Sequence, residues 1–233
     1  GGEWHDDPNH PSYQRPNEAD ENKQEEPEID SEIPMQSEEN TQMDKDLKAL
    51  ICVQPAAQNF KPTTKVQVPS EKAFQLARKR LADQLRLYGV VEYRIAGDGS
   101  CQFASLSDQL FRSLSKTDAL RAHAVRQLRE FPEYYVEFVH DNNYVNYCNK
   151  MSKQSTWGDH LTLQALADRF LIVINLLTSY EHTPHVEIKP RHTGTVKRHV
   201  WLSFFGEVHY NSLYPANRIQ ERLDKDKHSC RIS

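Results

Sequence analysis

The hydrophobic pattern divides the 233-residue chain into unlike parts. Residues 1–46 show no apolar period, hold five of the twelve prolines, and are dense in Glu, Asp, Asn and Gln. Such a stretch buries too little apolar surface to offset its ordering entropy and reads as a disordered acidic segment. Residues 47–68 read as a linker or docking segment, with Leu47, Leu50, Ile51 and Val53 available to dock and Pro55 and Pro62 breaking the run. From Pro69 a period sets in: Phe74, Ala77, Leu81, Leu85 and Tyr88 recur every three or four positions, predicting a helix with Ser70 as N-cap and Gly89 as its stop.

Val90–Ile95 then reads as a short strand and Ala96–Ser100 as a turn. Cys101, Phe103, Leu106 and Leu110 share one helical stripe, so Cys101 falls where a loop becomes a helix. A further helix is predicted over Asp118–Phe131, stopped by Pro132, with helical stretches around Tyr134–Val139, Asn143–Lys153 and Thr162–Arg169. The continuous run Phe170–Leu177 has the character of a strand buried on both faces. His185–Lys189, His199–Phe205 and Val208–Leu213 add three more strands. Residues 69–215 thus read as one domain, and 216–233 as a charged C-terminal tail that frays or forms a short exposed helix.

Charge sharpens this division. The net of −4 averages a first segment near −12 (15 acidic residues against three basic over 1–46) and a remainder near +8 (26 basic against 18 acidic). An acidic segment beside a positive domain can act as a weak competitor for whatever that domain binds. No apolar run reaches 18 residues, and the polar, acidic start is unlike a signal peptide, so the expected setting is cytoplasmic or nuclear, without a membrane partner. Four widely spaced cysteines with no C-x-x-C exclude a disulfide scaffold and a zinc ribbon.

The candidate chemistry centres on Cys101. A helix N-terminus stabilises a thiolate, and the two glycines of Gly97-Asp98-Gly99-Ser100 allow backbone N–H groups to turn inward around an oxyanion. Asp98 can shape that turn through side-chain-to-backbone hydrogen bonds. On the last strand His209 and Asn211 are two residues apart and project to one face, so Asn211 can orient His209 as a base. Three other histidines, His182, His185 and His192, lack a Cys or carboxylate at ligand spacing, and no metal site or cofactor is expected. The basic runs Arg78-Lys79-Arg80 and Lys197-Arg198-His199 lack interleaved aromatics and read as solvated charge, not as a nucleic-acid surface.

Three motifs in order carry a family resemblance: Asp98-Gly99-Ser100-Cys101-Gln102-Phe103, Trp157-Gly158-Asp159-His160, and Trp201-Leu202-Ser203-Phe204 leading to His209-Tyr210-Asn211-Ser212. Together they resemble the ovarian-tumour (OTU) domain family of cysteine deubiquitinases, and Tyr93–Phe103 is particularly similar to its plant members. The resemblance implies an α+β, papain-like cysteine protease fold of OTU type, with a small central β-sheet flanked by helices. It implies Cys101 as nucleophile, His209 as general base, Asn211 as its orienter and Asp98 as a loop acid beside the oxyanion hole. The implied activity is cysteine-dependent hydrolysis at the C-terminus of ubiquitin, with ubiquitin, polyubiquitin chains and ubiquitinated proteins as partners. The alternatives are an inactive ubiquitin-binding module and a thiol hydrolase acting on a ubiquitin-like modifier. Two departures from the family pattern stand out: Thr162 where Glu is frequent, and Ala104-Ser105 in place of the bulkier Arg-containing sequence that plant relatives often show.

Overall fold

The computed structural model describes residues 70–139, 143–191, 194–206 and 208–229. The acidic segment 1–46, the docking segment 47–68, and Cys52, Cys230 and His192 lie outside them. Helix α1 (Glu71–Leu87) starts where Ser70 Oγ accepts the Ala73 N–H and ends before Gly89, whose φ of +61° makes the tight turn into β1 (Val90–Tyr93). Helix α2 (Cys101–Phe111) follows, buried on every side from Cys101 to Leu110, as a helix through the middle of a core must be. Helix α3 (Thr117–Glu130) ends at Phe131 before Pro132. The stretch expected as helical near Tyr134 consists of two 3-10 turns, Pro132–Tyr134 and Val136–Phe138.

Helix α4 (Tyr144–Met151) is capped by Asn143, and α5 (His160–Phe170) by Asp159. Strands β2 (Ile172–Thr178), β3 (His185–Ile188), β4 (Arg198–Phe205) and β5 (His209–Pro215) complete a five-stranded sheet in the order β1-β5-β4-β2-β3. Among the described strands only β2 and β4 pair in parallel, and every residue of β2 is buried, in keeping with a run that is apolar except at Asn175 and Thr178. That run begins two residues later than its hydrophobicity suggests. Phe170 closes α5, and Leu171 adopts a left-handed conformation (φ +53°) as the helix cap, so one residue turns the chain from helix to strand.

Helix α2 packs on β5 and β4, α3 packs on α5, and α1 lies against β1, β2 and β4. Phe103, Leu106, Leu120, Leu128, Leu166, Ile172, Ile174 and Trp201 fill the shared core; full burial of each such side chain contributes about 1.5–3 kcal/mol. Trp201 stacks on His185, whose ring also bonds Asn175 at 3.2 Å, making His185 a core residue whose burial pushes its pKa down. The charged run after Pro215 takes the second of its two expected forms, a short and mostly exposed helix, with one buried exception. It forms α6 (Ile219–Ser229), and Arg222 on it is buried against Asp108 of α2.

Candidate active site

The turn ahead of α2 is held by backbone geometry that side chains then lock. Gly99 has φ +86°, and a Cβ there would stand 2.4 Å from the Ser155 carbonyl oxygen, so no other residue fits. Asp98 Oδ1 accepts the Ser100 N–H at 2.9 Å, and Ser100 Oγ donates to the Gln154 carbonyl at 2.7 Å. Behind the turn sits Arg121 of α3, 2% exposed, donating to the carbonyls of Gly99, Met151, Gln154 and Thr156 and to Ser100 Oγ. Its guanidinium lies 4.2 Å from the centre of the Phe103 ring. One buried cation thus ties the loop before α2 to the loop after α4.

The Trp-Gly motif meets the Cys-Gln-Phe motif by contact. A Cβ on Gly158 would stand 2.3 Å from Gln102 Oε1, so the absence of a side chain there lets Gln102 reach across. Gln102 Nε2 donates to the Asp159 carbonyl at 3.0 Å, and Thr162 Oγ1 donates to Gln102 Oε1 at 2.7 Å. Thr162 also accepts the Asp159 N–H at 2.9 Å, closing a capping box at the start of α5. The threonine at this departure from the family pattern therefore holds the residue next to Cys101. Trp157 is exposed beside Gly99, whereas Trp201 is in the core.

Cys101 reaches the first turn of β5. Its Sγ lies 4.0 Å from the Val208 carbonyl, next to His209. His209 Nε2 is 3.1 Å from Asn211 Oδ1, which also accepts the Ile95 N–H at 2.9 Å, while Asn211 Nδ2 donates to Glu92 Oε1 at 3.1 Å. With the amide placed this way, an oxygen facing Nε2 requires the ring proton on Nε2. The lone pair is left on Nδ1, 4.0 Å from where a Cβ on Gly97 would stand. Glu92 Oε1 is held in turn by the Ser203 hydroxyl.

The thiol departs from expectation. Burial pushes the Cys101 thiol above its ordinary value and the Asp98 charge adds to this, while N–H groups of Tyr210, Gln102 and Cys101 itself pull it down without prevailing. The helix start supplies donors, as its position predicts, but desolvation outweighs them, so the site does not by itself favour the thiolate. On the far flank of His209, a groove of about 310 Å³ is lined by Arg78, Leu81, Glu92, Arg94, Phe205 and Asn211.

Of the four residues singled out from sequence, His209 and Asn211 are hydrogen-bonded to each other on β5, and Cys101 at the start of α2 reaches the carbonyl of Val208, the residue before His209. Asp98 sits three residues before Cys101, and its carboxylate accepts the N–H of Ser100 in the loop. Sequence reasoning missed Glu92, Arg121 and the Thr162–Gln102 pair. Arg121 carried a signal, being a charge beside the Leu120/Ala124 apolar stripe of α3.

The chain is similar to known proteins in sequence and in fold. Residues 96–212 match the family described as OTU-like cysteine protease. The OVARIAN TUMOR DOMAIN-containing deubiquitinating enzyme 12 of Arabidopsis thaliana is 44% identical over 153 residues, covering 66% of this chain and 69% of that one. Enzyme 11 of the same series and organism is 43% identical, covering 66% of this chain and 62% of its own length. Among solved structures, that of the OTUD1 OTU domain superposes with a TM-score of 0.52 at 16% identity, covering 60% of this chain and 96% of that one, a likeness of fold.

Proposed function

The chain belongs to the OTU-like cysteine proteases, and from that premise we propose that it is a thiol-dependent deubiquitinase with Cys101 as nucleophile, His209 as general base and Asn211 as the residue that orients the base. The observation carrying this reading is the Nε2–Oδ1 bond between His209 and Asn211, which leaves the lone pair on Nδ1 of the residue that follows Val208, whose carbonyl the Cys101 thiol approaches. His209 Nδ1 draws the proton from Sγ as the sulfur attacks the carbonyl carbon of ubiquitin's terminal glycine. Backbone N–H groups of the Gly97–Cys101 loop take the charge that develops on the carbonyl oxygen. The amine leaves with the proton carried by His209, and water deprotonated by the same nitrogen releases ubiquitin from the thioester. Asp98 serves by holding the loop through the Ser100 amide, with no proton to transfer. The named activity of the Arabidopsis relatives supports ubiquitin as substrate.

A panel of covalent probes tests this: ubiquitin, and each of several ubiquitin-like modifiers, carrying a C-terminal electrophile. The expected result is a single adduct on Cys101 with the ubiquitin probe. Labelling by a ubiquitin-like probe alone would replace the substrate assignment, and a chain that binds ubiquitin without labelling would be a binding module.

A further inference from the structure

Glu92 lies on β1, outside every motif that marks the site, yet it completes a row of side chains across three strands. Ser203 on β4 is the register partner of Asn211 on β5, and Glu92 pairs with Leu213, two residues along on the same face. The half-buried Glu92 carboxylate reaches over β5, accepting from Asn211 Nδ2 at 3.1 Å and from the Ser203 hydroxyl with the same oxygen. The Asn211 amide is thereby held at both ends. Its oxygen takes two donors, the Ile95 N–H and His209 Nε2–H, and its nitrogen gives a proton to a carboxylate.

We propose that Glu92 is a positioning residue for the His209 base, a role that rests on the functional reading above. Were Asn211 to flip, its NH2 would face the Ile95 and His209 N–H groups, donor against donor, and Nε2 would lose the acceptor that keeps its proton in place. Glu92 opposes that flip because an inverted amide would set oxygen against its carboxylate. A hydrogen bond to an ionised acceptor is roughly twice as strong as one between neutral groups. The negative charge also polarises the amide, so that Asn211 Oδ1 becomes a better acceptor as His209 gains its second proton during attack. Ser203 contributes by fixing the carboxylate rotamer. The order is Ser203, Glu92, Asn211, His209, and only the last touches the reacting atoms.

The test is a double-mutant cycle on turnover of ubiquitin carrying a fluorogenic C-terminal amide, with thermal melting of each variant so that rates refer to folded protein. Glu92→Ala is expected to lower kcat about tenfold with KM within about twofold, the signature of an interaction realised beyond substrate binding. Glu92→Gln keeps an acceptor oxygen for Asn211 and Ser203 but not the charge, and is expected to recover about a third of the wild-type kcat. In an Asn211→Ala background, Glu92→Ala is expected to cost less than about twofold more, since nothing remains for it to orient. Equal losses from Glu92→Ala with and without Asn211 would overturn the proposal, as would wild-type kcat in Glu92→Ala or a Gln variant no better than Ala. If wild type itself neither turns over ubiquitin nor labels at Cys101, the functional reading fails instead, a result these outcomes do not mimic.

Discussion

At its first turn, α2 meets β5 loosely, with Cys101 Sγ 4.0 Å from the Val208 carbonyl and His209 half-exposed to solvent. Two turns later the same helix meets the same strand through buried, hydrogen-bonded side chains. Asp108, fully buried, accepts from the Ser212 hydroxyl, from Tyr214 Oη at 2.8 Å and from Arg222 Nε at 2.5 Å. Gln109 beside it donates to Ser212 Oγ and the Leu213 carbonyl and accepts the Trp201 N–H at 3.0 Å. Burial alone would lower the Arg222 pKa and is the largest single influence on it, but the Asp108 charge and the hydrogen bonds to Asp226 and Asp108 together outweigh it and raise the pKa. The difference teaches how one helix serves two ends. The hydrogen bonds at the far end fix the register of α2 on β5, so the near end can hold its thiol and imidazole by fewer and longer contacts without drifting.

If that division holds, the largest effect belongs to the near end. Cys101→Ala should abolish turnover, a loss of about 10⁴-fold or more, while leaving the melting temperature within about a degree, because little depends on the sulfur's long contact. A fall of many degrees would break the comparison by making the thiol structural. The converse variant, Arg222→Ala, strands the Asp108 charge and should cost about 3–5 kcal/mol in denaturant unfolding, with kcat per folded molecule close to wild type. A strong kcat defect in protein shown to be folded would mean the two ends are coupled.

Raising the pH should separate them most gently. Iodoacetamide labelling of Cys101 should increase with pH, with a midpoint above the ordinary thiol range, since burial raises its pKa. Tyr93, which donates to Asp226 at 2.6 Å and lies under Arg222, is pushed up to about 12 by burial and by that bond. Its contribution to stability is complete below the unfolded value of 10.0 and is lost as pH rises through about 12. The chain should therefore gain thiol reactivity and lose melting temperature over neighbouring windows. A flat melting temperature through that range would show that the Tyr93 phenol is not held neutral by the fold.

Much of this was legible because it is local. The Ser70 cap, the Gly89 stop, the Cys101 stripe and the apolar β2 follow from spacing, and the three motifs converge as the family resemblance implies. What escaped depends on partners distant in sequence. The run Ile219–Ser229 is charged enough to read as an exposed tail, and only Asp108, 114 positions earlier, makes Arg222 a buried residue. Glu92 is one acid in a short strand until the sheet order sets β1 beside β5 and Asn211 within its reach. The direction of the thiol shift was misjudged for a related reason: a helix start is visible in sequence, whereas the desolvation that outweighs it comes from the surrounding fold.

Asp108 also decides where the working unit stops. Every group assigned to the chemistry lies between Glu92 and Asn211, and the family match closes at residue 212. A shortened protein cut after Pro215 would look complete by that measure. It would lack Arg222 and Asp226, leaving a buried carboxylate without its cation and the Tyr93 phenol without its acceptor, one residue from Glu92. The fragment that keeps these buried partners, and with them the stability of the α2–β5 junction, runs through Asp226.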